Sequence, residues 1–271
     1  MLKVFGFVRR NPRLTHDEYR AAHAGYHASY GRRLTGIRGY VLNVRANRPI
    51  EETLGADLVS RISWGEPEGF DDAWDGWGQL MFDDLPAYLA ARTPIPDRAG
   101  PSGLEIDPLI AQVGGDGPYL YSGSAMQFAV EEHVLVPVLR PEHKLFKLVQ
   151  FAKRRGGMSL DAFKAAWTGE HAALIAQIPG LRGHIVNFRT DLDVMTGFVT
   201  LDSEGFTPEG IARRERFYGW WDGIAEMWFD GPAQFFERQP AGLGQIAPDV
   251  FGASWFREVD ETIAVLPTRY P

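Results

Sequence analysis

The chain has 271 residues, 45% hydrophobic, 13% aromatic and 23% charged, which supplies a sizeable core and excludes a disordered or low-complexity protein. Its net charge is −7 and Lys and Arg do not cluster, so nucleic acid and an anionic membrane are not expected partners. Cysteine is absent, which removes disulfides, thiolate nucleophiles and cysteine-based metal sites. There is also no apolar run of about 18 residues and no leader-like opening, so a cytoplasmic protein is expected.

In chain order, Lys3 to Arg9 is a short apolar-rich run ending in basic residues and reads as a strand. Thr15 is an N-cap ahead of Asp17, and Tyr19, Ala22, His23, Tyr26, Tyr30 and Leu34 recur every three or four residues. This predicts a helix with one inward face, ended by Gly36. Ile37 to Arg45 and Trp77 to Phe82 follow as strands, Asp84 to Arg92 as a shorter helix, and the stretch around Gln127 to Val136 as a closing strand. The Pro/Gly-rich residues 93–118 are expected to be a long loop, and Gly114 to Pro118 a flexible turn without phosphate-binding geometry.

The series then restarts with Leu145 to Lys153, a helix capped by Ser159 and ended by Pro179-Gly180, strands Leu181 to Arg189 and Ile224 to Phe229, a helix Pro232 to Arg238, and a closing strand Trp255 to Val265. Thr207 to Tyr218 predicts an extra helix in this copy only, and 239–252 a second long loop. Shifting the chain by 144 positions lays residues 2–45 on 146–189 without a gap. Lys3, Gly25, His27, Gly36 and Asn43 then meet Lys147, Gly169, His171, Gly180 and Asn187, and further along Trp74-Asp75-Gly76 meets Trp221-Asp222-Gly223.

The order βαββαβ, read twice, predicts an α+β protein of two ferredoxin-like repeats, 1–140 and 141–271. The strands are apolar on both faces, Phe5 and Phe7 opposing Val4 and Val8, so a sheet with helices on one side needs its other side covered. Packing the repeats sheet to sheet as a pseudo-twofold dimeric α/β barrel meets that need within one chain. The rival is two domains that each pair with another molecule, and a homodimer remains open.

The run Phe217 to Asp230, with Ser159, Phe163, Trp167, His171 and Pro179-Gly180 upstream, resembles the EthD family of dimeric α/β-barrel proteins. The first copy keeps Thr15, Tyr19, His27, Gly36 and Trp74-Asp75-Gly76 but has His23 in place of the family's usual aromatic and Thr35 in place of its proline. The resemblance implies ferredoxin-like units paired into a barrel. It also implies a cofactor-independent lyase, dehydratase, cyclase or isomerase acting on a hydrophobic aromatic, polyketide-like or lactone molecule. A non-catalytic binding protein for hydrophobic metabolites is the alternative, and haem binding through a histidine, known among α/β-barrel relatives, is a weaker one.

His27 and His171 occupy equivalent helix positions, and an imidazole exchanges protons near neutral pH without a cofactor. The first copy concentrates polar groups there, so His27, Tyr26 and His23 are the catalytic candidates, with Tyr30, Tyr40, Asn43, Trp74 and Trp77 as substrate-binding candidates. The bland reading makes these residues ordinary core. His171, His184 and Glu226 are the counterparts in the second copy, where Trp167 is bulky enough to fill the cavity and leave His171 chiefly structural. Burial of Glu226 would raise its pKa and suit a general acid, against a solvated or Arg-paired carboxylate. His23 and His27 have metal-compatible spacing but no evident third ligand, so no metal is expected.

Overall fold

A computed structural model describes residues 1–91, 116–196, 201, 203–237 and 243–267. In chain order the elements are β1 (Leu2–Val8), α1 (His16–Ala21), α2 (Ala28–Gly31), β2 (Gly39–Arg45), α3 (Ile50–Leu54), α4 (Ala56–Ile62), β3 (Gly76–Phe82), α5 (Leu85–Ala90), α6 (Gly117–Leu120) and β4 (Met126–Val136). The second half adds β5 (Phe146–Arg154), α7 (Leu160–Ala166), α8 (Ala172–Ile175), β6 (Leu181–Arg189), α9 (Pro208–Gly219), β7 (Gly223–Phe229), α10 (Pro232–Glu237), α11 (Leu243–Val250) and β8 (Phe251–Val265).

The strands form a closed antiparallel barrel in the order β1-β3-β2-β8-β5-β7-β6-β4. Each half supplies four neighbouring strands, and the long closing strands join them, β4 to β6 and β8 to β2. Closure removes every sheet edge, the physical gain that makes one chain sufficient. Alternation along the strands divides the side chains: Lys3, Phe5 and Phe7 with Trp77 and Gln79 point inward, whereas Val4, Tyr40, Leu42 and Phe82 pack beneath the outer helices.

Thr15 makes the expected cap: its hydroxyl accepts from the Glu18 amide at 3.2 Å and Glu18 accepts from the Thr15 amide at 2.8 Å. Ser159 caps its counterpart. Neither helix is uniform, however. Between α1 and α2 lies a π-helical turn, Ala22–His27, and between α7 and α8 another, Trp167–His171. Each contains a glycine, Gly25 or Gly169, and Gly169 leaves helical geometry altogether at φ −94°, ψ −105°. At Gly169 the lack of a Cβ makes that departure easier to adopt.

Residues 239–252 are not one loop, because Leu243–Val250 is helical and β8 begins at Phe251. Of 93–118, residues 93–115 lie outside the described part, and the remainder is no flexible turn: Asp116 precedes the helical turn α6, with Pro118 in its first positions. The extra helix of the second half is α9, and the first half has α3 and α4 between its own second and third strands. Ile50, Leu54, Leu58 and Ile62 of that pair pack on Leu148, Met227 and Phe256, so the first half covers strands of the second.

A fragment of residues 1–140 therefore loses the partners of both β2 and β4 and exposes Phe5, Phe7 and Trp77. It is expected to aggregate or self-associate on size-exclusion chromatography. A soluble, folded monomer of that fragment would contradict the pairing.

Candidate functional site

The π turn of the first half brings Tyr19, His23 and His27 into a column. Tyr19 and His23 lie 5.2 Å apart at 17°, and His23 and His27 5.4 Å apart at 9°. Tyr121 meets all three rings edge-on and its hydroxyl is 2.8 Å from His23 Nδ1. His27 Nδ1 lies 2.9 Å from Asp116 Oδ2 and 3.1 Å from Oδ1, with the two side chains 19% and 6% exposed. A carboxylate accepting from Nδ1–H fixes the tautomer with the lone pair on Nε2, the form that takes a proton. His23 differs in kind: burial, reinforced by the neighbouring His27, pushes its pKa well below the usual imidazole value. It stays neutral beside whatever charge His27 acquires. Burial likewise holds the Tyr121 phenol well above its ordinary value and protonated.

Around this pair stand more hydroxyls. Tyr26 is 53% exposed and its hydroxyl meets that of Tyr30 at 2.5 Å. Tyr40, on the helix side of β2, places its ring 6.5 Å from His27. Tyr40 lies against Gly31, where a Cβ would come 2.2 Å from the ring. His23, His27 and Tyr40 thus lie together, while Tyr26 and Tyr30 pair with each other on the same helical segment, Tyr26 exposed. Asn43, Trp74 and Trp77 lie elsewhere. Asn43 points into the barrel and accepts from Lys147 Nζ at 2.7 Å. Trp74 and Trp77 are fully buried among Phe5, Phe7 and Phe151, a core that β3 and the turn before it deliver on the far side of the sheet. Asp116 and Tyr121, which sequence reading missed, complete the site instead.

In the second half the equivalent space is filled. Trp167 replaces His23 and is enclosed by Phe163, Phe188 and Phe251. Phe251 presents its ring to His171 at 4.9 Å, where the first half presents Tyr121 to His27. Neither His171 Nδ1 nor either nitrogen of His184 has a hydrogen-bond partner among the described residues. Burial takes His171 down to about 4; burial, with a smaller contribution from His171, takes His184 to about 3.

Those depressed values have a thermodynamic sign. Below about pH 6.5 the unfolded chain takes up protons that folded His171, His184 and His23 refuse, so stability falls as the pH drops through the window down to about 4 and 3. Each such proton contributes about 1.4 kcal/mol per pH unit. Calorimetry from pH 7 to 5 is expected to show a steepening loss of melting temperature, made shallower by His171→Asn or His184→Asn. A profile unaffected by either substitution would contradict the assignment.

The barrel centre holds a second polar group. Lys147 Nζ contacts Glu226 at 2.6 Å and Glu261 at 2.8 Å, while Lys3 Nζ contacts Glu132 at 2.6 Å, Asn187 at 3.0 Å and Glu226 at 3.2 Å. Gln79, the counterpart of Glu226, donates to it at 2.5 Å. Of the two readings of Glu226, the general acid does not fit these contacts and the paired carboxylate does. Burial alone would raise its pKa, but Lys147 and Lys3 outweigh it and hold the carboxyl well below the usual range. The partners are lysines, not the arginine expected.

Asp75 and Asp222 take structural parts, accepting the Arg10 and Arg154 amides at 2.9 Å and 3.0 Å where the strands end. Among the described residues no group of three or more His, Asp or Glu side chains is arranged to hold a metal, and no helix is long and apolar enough to cross a membrane.

The match to a known family falls in the second half of the chain. Residues 155–253 match the EthD domain. No curated protein matches the chain. Among solved structures, an anthrone oxidase-like protein aligns over 100% of this chain and 96% of its own, with a TM-score of 0.50 and 9% identity. A protein of Lactobacillus acidophilus NCFM, provisionally named a monooxygenase, aligns over 97% and 95%, with a TM-score of 0.48 and 7% identity. At 9% identity the likeness to the anthrone oxidase-like protein is one of fold.

Proposed function

We propose that this protein is a cofactor-independent enzyme that moves protons on a hydrophobic, oxygenated small molecule, as a lyase or isomerase of the dehydration, retro-aldol or cyclisation type. The supporting observation is the His27–Asp116 pair, an imidazole with one nitrogen fixed by a carboxylate and its side chain still in reach of solvent. His27 Nε2 takes a proton from a carbon next to a carbonyl or from a hydroxyl. Asp116 stabilises the imidazolium that results, and Tyr26, Tyr30 and Tyr40 orient the substrate or donate to the oxygen on which charge develops. The protein architecture is read as a duplicated ferredoxin-like unit, its first half keeping the chemistry and its second half, closed by Trp167 and Phe251, serving the fold.

The solved structures named for oxidation and monooxygenation suggest a second outcome from the same first step, in which the deprotonated substrate reacts with dioxygen. The test is incubation of the wild-type protein in D2O with a panel of aromatic ketones, phenols and lactones, read by NMR for deuterium incorporation and by an electrode for oxygen uptake. Deuterium without oxygen uptake supports the lyase or isomerase reading; oxygen uptake with a hydroxylated or quinoid product replaces it. Binding without either supports the binding-protein alternative.

A further inference from the structure

The segment that carries Asp116 and Tyr121 belongs to the first half, yet it is fastened by the second. After Tyr121 the chain turns at Gly123, with φ +81°, and runs through Ser124 into β4. Ser124 offers three groups and all are taken from the far side of the molecule. Its amide donates to Glu204 Oε2 at 2.7 Å, its hydroxyl accepts from the Gly205 amide at 2.9 Å, and its carbonyl accepts from Arg213 Nη2 at 2.7 Å. Arg213 Nη2 also reaches Glu204 Oε2 at 3.0 Å, so the two side chains brace each other while holding one residue. One turn beyond Arg213 on α9, Tyr218 donates to the Gln127 carbonyl at 2.7 Å.

Gly123 shows how closely the parts fit. A Cβ there would come 2.3 Å from Arg213 Nη1, and the positive φ is itself unfavourable for a residue with a side chain. The rest of the segment is short, tied once within itself and twice to the chain just after β1. The Ser122 amide donates to the Arg9 carbonyl at 2.8 Å, Asn11 donates to the Leu120 carbonyl at 2.8 Å, and the Tyr121 amide closes α6 on Gly117 at 2.7 Å.

We infer that Glu204 and Arg213 are positioning residues for the first half's site: they clamp Ser124 and, through the braced segment 116–124, set Asp116 against His27 and Tyr121 against His23. This rests on the reading of His27 and Asp116 as the proton-transfer pair. The helix that distinguishes the second half thus has a use in the first, as α3 and α4 of the first half have on the strands of the second.

The test needs no substrate. In the full-length protein at alkaline pH, the two ring nitrogens of His27 are followed by 15N NMR, which separates the tautomer with the proton on Nδ1 from that with it on Nε2. Asp116→Ala is expected to move His27 away from the Nδ1–H form. Arg213→Ala and Glu204→Gln are expected to move it in the same direction by a smaller amount, with faster amide exchange at Tyr121 and Ser122. Arg216→Ala, on the same helix but stacked on Trp220, leaves it unchanged. If Arg213→Ala and Glu204→Gln speed exchange only at Ser124 and leave the His27 nitrogens at wild-type positions, the clamp is local and the inference fails. If Asp116→Ala itself leaves them unmoved, the pairing of His27 with Asp116 fails first, a different result.

Discussion

His27→Ala is expected to lower catalysed deuterium exchange by about 10²–10⁴-fold, the usual contribution of a positioned general base, while the variant still melts cooperatively. His27 is half-buried at the end of the π turn and removing it leaves the inner rings, Tyr19 and His23, stacked and enclosed. His171→Ala is expected to do the opposite. That imidazole touches Phe251 in a space already closed by Trp167, so truncation opens a cavity and costs on the order of 1–3 kcal/mol of stability with little change in exchange. Activity lost with His171 and kept without His27 would assign the chemistry to the wrong half. Comparing melting temperature and exchange rate in the same two variants separates the effects.

Glu226→Ala is expected to be the most damaging single change to stability. It removes the carboxylate that Lys3 and Lys147 share, each almost wholly enclosed, and leaves two lysines with Glu132 and Glu261 alone. Removing one partner of an isolated buried pair costs about 3–5 kcal/mol, an upper limit here because each lysine keeps one carboxylate, and for a chain of this size each kcal/mol corresponds to roughly 2–4 °C in melting temperature. Glu226→Gln, which copies Gln79 of the first half, keeps the hydrogen bonds but not the charge and falls between. If the cost comes from unpaired charge, adding Lys147→Met to Glu226→Leu recovers part of the loss; if it comes from the packing of the carboxylate itself, the double variant is no better than the single one.

Much of this was legible in the chain because the two halves carry the same residue types at matched places. Lys3 and Lys147, or Asn43 and Asn187, are polar residues repeated at fixed places in apolar strands, which marks the position as constrained. The pattern does not say to what. Strand alternation puts Tyr40 and His184 on one face and the asparagines on the other, but only barrel closure turns the second face into a sealed interior where a lysine needs a carboxylate. The aromatic positions show the same limit. Trp74 and Trp77 have the composition of a ligand pocket, and hydrophobicity carries no mark that separates such a pocket from a core.

The π turns were hidden for a different reason. Over a single turn the periods of an α- and a π-helix are too close to separate by apolar spacing, and the shared Gly25 and Gly169 were the one available signal. Asp116 was beyond reach of any local pattern. It lies 89 positions from His27, next to a glycine-rich stretch that reads as a turn, and its partner is set by how the segment docks between the two halves. The feature that could have pointed to it is Pro118, which marks a helical start just after an acidic N-cap.

The central claim, that His27 acts as a base with its ring fixed by Asp116, is tested most directly by locating the substrate. A compound that exchanges deuterium with the wild-type protein would be soaked into crystals of Asp116→Asn, which keeps the shape of the site. The account predicts density on the outer face of the first half, between Tyr26, Tyr30 and Tyr40, with the acidic carbon about 3–3.5 Å from His27 Nε2. Density against His171 and His184, or inside the barrel beside Lys147, would contradict it.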